Sequence, residues 1–415
     1  MFYKETNFKQ EPLIGNVPKE WEVVRLKDVA DYINGYPFSP KDWKDKGLPI
    51  IRIQNLNDPN AEFNYFEGDI EDKYIVENGD LLFSWSASIG AYIWNRGKAV
   101  LNQHIFKVVP NDNIDKLYLF YALFLAIEQL KQKVHGSTMK HFKKTELQTK
   151  IPLPPLPEQK EIAKVLGVVD SVIAKTGEVI AKTERLKKGL MQTLLTRGIG
   201  HKEYKQTPIG TIPKEWEVVK VKDVANLQSG GTPSRDKPEY WENGTIPWIK
   251  SGELNDAEIY NAEEKITELG LKNSNAKIFP KGTLLMALYG KGTVSKTAIL
   301  RIDAATNQAV CAFTPKNGNF NPKYMQHCLI FMRNRLLNQL TNPSSDVGRT
   351  NIYMGMLESF KIPLPKKVEE QKKIAEILST ADEELNLLRS EKLKFERIKR
   401  GLMDLLLTGK IRVKV

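Results

Sequence analysis

The sequence predicts an α+β fold in which two mixed α/β domains are separated by two long helices packed as an antiparallel coiled coil. Three observations predict it: a long internal repeat, short strand-like runs in the first part of each copy, and a 4,3 stripe of apolar residues in the second part. Because both copies follow one plan, we expect a pseudo-twofold internal repeat. The length of 415 residues agrees with this plan, since a domain has roughly 100–200 residues.

The repeat opens on a block that is almost the same in both copies. Ile14–Val24 reads Ile-Gly-Asn-Val-Pro-Lys-Glu-Trp-Glu-Val-Val, and Ile209–Val219 reads Ile-Gly-Thr-Ile-Pro-Lys-Glu-Trp-Glu-Val-Val. Further matches follow in the same order: Asn102-Gln103 with Asn307-Gln308, Ile151–Pro154 with Ile362–Pro365, and Lys188–Met191 with Arg400–Met403. A repeat of this length decides the architecture, so the chain is two copies of one unit of about 200 residues.

The first part of each copy, 1–157 and 200–368, is predicted to be a mixed domain. Its strand-like runs are short, rich in β-branched and aromatic residues, and bounded by Gly, Pro and Asn. In the first copy these runs are Trp21–Leu26, Ile50–Ile53 and Leu81–Trp85. We expect Trp21 and Trp216 to be core residues rather than surfaces on which bases stack.

A helix is predicted near Leu117–Lys133, where the longest apolar run of the chain lies. A bilayer needs about 20 apolar residues, so this shorter run predicts a buried helix and no contact with a membrane. The polar N-terminus has no signal-peptide core, and a cytoplasmic protein is expected. Cys311 and Cys328 are expected to be core residues, neither bridged nor nucleophilic.

The second part of each copy, 158–199 and 369–415, is predicted to be one long helix that begins after the prolines around Pro152–Pro157. Apolar residues recur there at the 4,3 spacing of a coiled-coil seam. The seam positions are Ile162, Leu166, Val169, Ile173, Thr176, Ile180, Thr183, Lys187 and Leu190 in the first copy, and Ile374, Leu378, Ala381, Leu385, Leu388, Lys392, Phe395, Lys399 and Leu402 in the second. Pairing of the two helices within one chain is favoured over pairing between two chains.

The charges are distributed unevenly. The chain has 62 basic and 50 acidic residues, a net charge of +12 and a pI near 9.3. Residues 1–157 contain an acidic stretch between Asp58 and Asp80 and a basic one between Lys131 and Lys150, whereas residues 200–368 hold most of the basic excess. Basic side chains at this density fit contacts with DNA phosphates; a solvated surface is the alternative.

Sequence motifs of common enzyme classes are missing. Gly290–Thr297 departs from a phosphate-binding loop, because Ser295 stands where the second Gly is required. Neither Asn342–Ser345 nor Asp58–Asn60 has the second Pro and the aromatic residue of an amino-methyltransferase loop. The five His and two Cys have no metal-ligand spacing. No catalytic residue and no metal ligand is predicted, which favours a binding or organising subunit.

The whole chain resembles the specificity subunit of type I restriction-modification enzymes in its repeated sequence blocks. The resemblance rests on the duplicated opening block, on the Pro-rich block Ile151–Ala163 that is echoed at Ile362–Ala375, and on Lys/Arg-Gly-Leu-Met followed by Leu-Leu-Thr near the end of each helix. The second Pro-rich block departs from the family pattern at Pro365–Val368, where a second Pro-Leu is missing. It keeps Glu370-Gln371.

The resemblance implies that 1–157 and 200–368 are target-recognition domains, each of which reads one half of a bipartite, asymmetric double-stranded DNA target. Segments 158–199 and 369–415 would be spacer helices that dock two modification subunits, which are adenine methyltransferases, with restriction subunits as further partners. The S-adenosylmethionine would be bound by the modification subunits, so this chain would bind no cofactor and would not be an enzyme. The alternative is a repeat scaffold or adaptor that binds only proteins, and a stand-alone methyltransferase or nuclease is a second rival.

Candidate DNA contacts lie in loops at like positions of the two copies, because loops on a rigid scaffold often carry recognition. These loops are Gly35–Ser39 and Ser229–Ser234, Ser84–Gly90 and Tyr289–Lys296, and Gly136–Lys144 and Gly348–Asn351. The residues predicted to bind DNA within or near them are Arg52, Gln54, Ser84, Ser86, Lys140, His141, Lys143, Lys144, Thr232, Ser234, Arg235, Lys250, Tyr289, Lys291, Lys296, Arg349 and Asn351. Arg349→Ala is expected to weaken DNA binding by the assembled complex.

Overall fold

The computed structural model describes residues 2–12, 14–133, 144–290, 292–340 and 351–414. The chain divides into two compact units: unit 1 comprises Met1–Gly177 and Ser390–Val415, and unit 2 comprises Glu178–Arg389. Each unit therefore contains one mixed α/β segment together with one part of each long helix.

The elements of the first copy alternate short strands with few helices, as their turn-rich sequence predicts. In chain order they are β1 (Phe2–Lys4), β2 (Phe8–Glu11), β3 (Gly15–Pro18), β4 (Glu22–Arg25), β5 (Ala30–Asn34), β6 (Leu48–Ile51), α1 (Ile53–Asn57), β7 (Asn64–Phe66), β8 (Ile75–Val76), β9 (Leu81–Ser84), β10 (Gly90–Ile93), β11 (Ala99–Leu101), β12 (Ile105–Pro110), α2 (Lys116–Lys133), β13 (Lys150–Leu153) and α3 (Leu156–Arg197). Short 3-10 turns cover Leu26–Asp28, Pro40–Asp42, Asp72–Tyr74 and Lys144–Gln148.

The second copy follows the same plan. Its elements are β14 (Tyr204–Thr207), β15 (Gly210–Pro213), β16 (Glu217–Lys220), α4 (Val221–Val224), β17 (Ala225–Ser229), β18 (Ile246–Ile249), β19 (Ala257–Ile259), β20 (Glu264–Ile266), α5 (Glu268–Lys272), β21 (Ile278–Phe279), β22 (Leu284–Ala287), β23 (Thr297–Leu300), β24 (Ala304–Thr306), β25 (Val310–Pro315), α6 (Pro322–Phe331), α7 (Arg333–Leu340), α8 (Met354–Ser359), β26 (Lys361–Leu364), α9 (Val368–Leu407) and β27 (Ile411–Val413). Pro238–Tyr240 and Ser251–Glu253 form 3-10 turns.

Unit 1 contains two four-stranded sheets. One has the order β10-β9-β12-β5 and is antiparallel; the other has the order β7-β6-β11-β8, in which β6 and β11 are parallel. The core between the first sheet, α2 and the start of α3 includes Trp21, Phe83, Tyr118 and Leu166, all almost fully buried. The predicted strands near Trp21, Ile50 and Leu81 are confirmed, although a helix and not a strand begins at Ile53.

Unit 2 repeats this topology with one addition. Its sheets have the orders β17-β25-β22-β23-β19 and β20-β18-β24-β21, and β18 and β24 form the parallel pair. Strand β19 is the addition, since it pairs with β23, whose counterpart β10 is the edge strand of its sheet in the described part of unit 1. Trp216 and both cysteines, Cys311 and Cys328, are buried in this unit, as predicted, and Tyr324 is buried beside them.

The long helices α3 and α9 confirm the predicted seam, because every seam position is buried or half-buried. Within unit 1, Asp170 of α3 pairs with Lys399 of α9 at 2.6 Å. Within unit 2, Lys187 of α3 pairs with Asp382 of α9. The numbers rise along one helix as they fall along the other, so the two helices pair antiparallel. The two aspartates explain the seam lysines Lys187 and Lys399.

The predicted second helix over 369–415 is too long at its C-terminal end. Helix α9 ends at Leu407, and β27 follows after Gly409, whose φ of +71° is the left-handed conformation that ends many helices. Strand β27 then pairs antiparallel with β1 inside unit 1. No helix in the described part of the chain is long and apolar enough to cross a membrane.

Candidate nucleic-acid interface

In both units a glycine without room for a side chain opens the first predicted loop. A Cβ on Gly35 would lie 2.2 Å from the carbonyl oxygen of Asn102, and one on Gly230 would lie 1.9 Å from that of Thr306. Backbone hydrogen bonds close the same approach: the amide of Tyr36 donates to Leu101 and that of Gly231 donates to Thr306. We call this shared feature the glycine junction; it places the first loop against the Asn-Gln pair of each copy.

Beside the glycine junction of unit 1 lies an open polar cavity of about 220 Å³. Its lining residues are Arg52, Ile53, Gln54, Asn102, Gln103 and His104. The guanidinium of Arg52 lies over the ring of Trp43 and donates to Asn64 Oδ1 at 2.8 Å, which fixes its direction. Within the described residues, Asn102 Oδ1 and His104 Nδ1 are buried without a hydrogen-bond partner. The cavity therefore offers an oriented guanidinium to a ligand, and two of its lining residues carry a buried polar atom without a partner among the described residues.

The loop Ser84–Gly90 of unit 1 is shaped by its own hydroxyl groups. Ser84 Oγ donates to the carbonyls of Ser88 and Gly90, and Tyr92 Oη donates to Asn57 Oδ1 at 2.7 Å. Ala87 adopts a φ of +56°, a conformation that a non-glycine residue takes only at some cost. The loop is thus held in one shape by neutral hydrogen bonds.

In unit 2 the predicted cations around the corresponding surface are already paired with carboxylates. Arg235 pairs with Glu264 at 2.5 Å, and Lys250 pairs with both Glu264 and Glu263 at 2.9 Å. The hydrogen bond that Lys250 donates to Glu264 is the largest cause that raises the pKa of Lys250 above its usual value. Because these charges are compensated within unit 2, they add little net attraction for phosphates.

Aromatic and neutral polar side chains make up the rest of this surface. The guanidinium of Arg235 stacks on Trp241 at 3.6 Å from the ring centre, a geometry that holds the side chain in place. Exposed Thr232 donates to Gln308 Oε1 at 2.5 Å, across the glycine junction of unit 2. Gln308 is the counterpart of Gln103, so both units present a glutamine at the same place.

The chain matches one protein-family model in both of its copies. That model, the type I restriction modification DNA specificity domain, matches residues 18–185 and 213–396. The chain belongs to the specificity subunits of type I restriction-modification systems.

Relatives of this specificity subunit match it along most of their length. It is 34% identical to the type I restriction enzyme MjaVIII specificity subunit of Methanocaldococcus jannaschii, across 100% of this chain and 98% of that protein. It is 26% identical to the type I restriction enzyme EcoBI specificity subunit of Escherichia coli, across 86% and 78% of the two chains. The crystal structure of the S subunit of a type I restriction-modification system from M. genitalium superposes with a TM-score of 0.61 at 15% identity over 97% of this chain and 99% of that one, which shows a shared fold.

The structure brings some of the predicted DNA-binding residues of the specificity subunit together and separates others. Arg52 and exposed Gln54 line one cavity, whereas Ser84 and Ser86 are buried within the loop Ser84–Gly90. In unit 2, Thr232, Ser234, Arg235 and Tyr289 are exposed, Lys250, Lys296 and Asn351 are half-buried, and Lys296 pairs with Asp256 at 2.8 Å. Direct contact of these residues with DNA remains a prediction.

Several residues that were predicted to bind DNA lie outside the part of the specificity subunit that the structure describes. Lys140, His141, Lys143, Lys291 and Arg349 lie outside the described residues, as does the side chain of Lys144. The expectation for Arg349→Ala is unchanged and has no structural account.

The sequence prediction missed several residues on this surface of the specificity subunit. Asn102, Gln103 and His104 line the cavity of unit 1, and Gln308 lies at the equivalent place in unit 2. The signal that could have found them was the Asn-Gln pair that recurs at 102–103 and 307–308. A polar pair that recurs where the rest of the two domains differs indicates a shared task.

Proposed function

We propose that this specificity subunit reads a bipartite, asymmetric double-stranded DNA target, with one half-site bound by the mixed domain of each unit. The long helices then set the spacing between the half-sites, about one helical turn or 10 bp. This division of labour explains why the chain is a tandem repeat: each copy supplies one recognition surface and one helix.

The observation that carries the proposal is that the glycine junction is shared while the side chains on it differ. Gly35 and Gly230 occupy the same place, as do the pairs Asn102-Gln103 and Asn307-Gln308. The residues that differ at equivalent places are Tyr36, Arg52 and His104 in unit 1, against Gly231, Lys250 and Ala309 in unit 2. A common scaffold with different polar and aromatic groups fits two domains that read different bases.

The long helices also fit a docking role for two modification subunits, with restriction subunits as further partners. Leu186 of α3 in unit 2 and Ile398 of α9 in unit 1 occupy equivalent positions, and their exposed fractions are 61% and 50%. Exposed aliphatic residues at matched positions of a helix pair are typical of surfaces that a partner covers. One such surface in each unit suits two copies of one partner.

The proposal assigns no chemistry to this chain. Methyl transfer and S-adenosylmethionine binding belong to the modification subunits, and this chain works in the cytoplasm as their non-catalytic recognition subunit. The side chains of the candidate surface are amides, hydroxyls, aromatic rings and paired charges, which suit binding rather than catalysis.

The test is to express the full-length chain with its candidate modification subunits in a host without adenine methylation and to sequence methylated adenine across the genome. We expect one asymmetric bipartite motif that appears only with this chain. Arg52→Ala should relax one or more positions in a single half of that motif, because a directed guanidinium contact contributes about 1–3 kcal/mol to base discrimination.

The matched control is Arg25→Ala, which removes an exposed cation of the same unit outside the cavity. It should leave the motif unchanged. Methylation by this chain alone would favour an enzyme, and a complex that methylates without sequence preference would favour a protein-binding adaptor. A motif that relaxes in both halves after Arg52→Ala would contradict the assignment of one half-site to each unit.

A further inference from the structure

One carboxylate, that of Asp256, joins three segments of unit 2. It lies in the turn before β19 and accepts hydrogen bonds from Lys296 Nζ at 2.8 Å and from the guanidinium of Arg333 at 2.5 Å. It also accepts from the backbone amide and the hydroxyl of Thr297, at 3.0 and 3.1 Å. Lys296 ends the predicted recognition loop Tyr289–Lys296, and Arg333 begins α7, so the contacts fix the loop against the helix.

The closing end of that loop has a conformation that needs outside support. Ser295 and Asp256 have φ values of +65° and +68°, which non-glycine residues adopt only at a cost. The amide of Ser295 donates to Ala287 at 2.9 Å, and its carbonyl accepts from Arg333 at 3.1 Å. Arg333 thus holds both the unusual turn at Ser295 and the carboxylate of Asp256.

A further hydrogen bond fixes the start of the same loop. The amide of Ile352 donates to the carbonyl of Leu288 at 2.7 Å, directly before Tyr289. The chain at Ile352 is therefore anchored where the loop Tyr289–Lys296 begins.

The carboxylate is charged where it lies. Burial opposes ionisation, but the hydrogen bonds from Arg333 and Lys296 outweigh it and hold the pKa of Asp256 below its usual value. Lys296 and Arg333, which lie close to the predicted recognition loop, are consequently paired with a carboxylate of the protein itself. The corresponding loop of unit 1, Ser84–Gly90, is instead closed by the hydroxyl of Ser84.

We propose, on the basis of the DNA-recognition function proposed above, that Asp256 is a positioning residue for the half-site read by unit 2. It holds the closing end of the loop, Ser295-Lys296, in its binding shape, and it keeps Lys296 and Arg333 from binding DNA phosphates without regard to sequence. Its effect is to make binding selective rather than merely strong.

The test uses the full-length chain in complex with its modification subunits and the variant Asp256→Asn. Binding is measured over a salt series for target DNA, for unrelated DNA of the same length, and for targets altered in one half-site; Arg52→Ala identifies the half read by unit 1. We expect target DNA to bind about tenfold more weakly and unrelated DNA more tightly. The slope of log K against log salt should steepen by about one to two, because two cations are released.

Glu258→Gln is the matched control. Glu258 lies two positions further along, and its carboxylate accepts from Arg301 and Lys323, neither of which belongs to the predicted loops. This variant removes the same charge and should leave the ratio of target to unrelated binding unchanged. Arg333→Gln is a second variant in case Asp256→Asn does not fold: it should weaken discrimination at the unit 2 half-site without steepening the salt dependence.

Three results would overturn the inference: proportional loss of target and unrelated binding, equal loss of discrimination in both half-sites, or the same effect from Glu258→Gln. Each would reduce Asp256 to a general contributor to stability. Failure of the DNA-recognition function looks different, because the wild-type complex itself would then prefer no sequence.

Discussion

In both units a tryptophan of the mixed domain donates a hydrogen bond to a glutamate of a long helix. The two units differ in the other partners of that glutamate carboxylate. In unit 1 the indole of Trp21 donates to Glu158 at 3.1 Å, and in unit 2 that of Trp216 donates to Glu370 at 3.3 Å. Glu158 is then paired with Arg412, whose Nε and Nη2 lie 2.8 and 2.9 Å from its two oxygens. Glu370 instead meets the imidazole of His201 at 2.8 Å and the amide of Ile199 at 3.1 Å.

The difference follows from how the segments beside each helix end are connected. In unit 2 the polypeptide runs directly from α3 through His201 into β14, so a peptide connection holds the helix end to the domain. In unit 1 the corresponding place is formed by β27 and β1, which pair although they are far apart in the sequence. There Arg412 binds Glu158, Glu5 and Glu20 together. A cluster of charged side chains thus joins segments that are distant in the sequence.

A second contact between domain and helix differs in the same way. In unit 1, Tyr121 Oη donates to Asp170 at 2.7 Å, beside Lys399. In unit 2 the equivalent residue is His327, whose Nδ1 lies 3.9 Å from Asp382 and has no hydrogen-bond partner among the described residues. At this second place unit 1 therefore has the better satisfied contact.

The largest expected effect comes from Arg412→Met, which should destabilise unit 1 and spare unit 2. The exposed fractions of the Arg412 and Glu158 side chains are 6% and 3%, so the variant leaves a buried carboxylate without a counter-charge. Breaking a buried pair from one side costs about 3–5 kcal/mol. Hydrogen exchange should show that loss of opening free energy in β12 and α2, while β25 and α6 are unchanged.

Lys410→Met is the control for this variant. Lys410 lies two residues earlier and pairs with Asp404 at the surface, and an exposed pair contributes no more than about 1 kcal/mol. Equal loss of protection in both units after Arg412→Met would show that the charge cluster stabilises the chain as a whole and not unit 1 in particular.

The next effect concerns acid, and it should be confined to unit 2. Burial, together with the nearby Lys187 and Lys323, lowers the pKa of His327 from 6.5 to about 3. The unfolded chain then takes up a proton below pH 6.5 that folded unit 2 refuses, so stability falls as pH falls from 6.5 towards 3. Each pH unit in that window costs about 1.4 kcal/mol, or about 2 kcal/mol by pH 5.

His327→Phe should abolish this component, because a phenyl ring of similar shape takes up no proton. The measurement is the difference in unfolding free energy of unit 2 between pH 7 and pH 5, in wild type and variant, from hydrogen exchange in α6. An acid loss of the same size in both proteins would assign the sensitivity to other groups.

The architecture was predictable because it depends on the periodic spacing of apolar residues, which can be read directly from the sequence. The seam positions from Ile162 to Leu190 had to be covered by a second apolar stripe, and the stripe from Ile374 to Leu402 was the matching one in the chain. The strand at Ile411–Val413 was not predictable in this way. It forms because β1 lies beside it. A contact between segments that are distant in the sequence leaves no local pattern.

The candidate site was harder to predict because charge alone does not say whether a cation is free. Arg235, Lys250 and Lys296 were predicted as DNA contacts from their place in loops, and the structure pairs each with a carboxylate distant in sequence. Asn102 and His104 were missed for the converse reason, since a neutral residue gains importance only when folding buries it without a partner. Both features depend on tertiary pairing, which the sequence does not show.

The smallest expected effect isolates the second contact of unit 1. Tyr121→Phe removes one hydroxyl and with it the hydrogen bond to Asp170. Because Lys399 stays paired with that carboxylate, Asp170 keeps a counter-charge and the cost should be about 1 kcal/mol, less than the full value for a bond to a charged group. Hydrogen exchange in α2 measures this cost. The comparison inside the core is Tyr118→Phe, which deletes a buried hydroxyl that donates to the carbonyl of Pro152. If Tyr121→Phe costs nothing while Tyr118→Phe does, the better satisfied contact of unit 1 contributes no stability, and the difference between the units reduces to Arg412 alone.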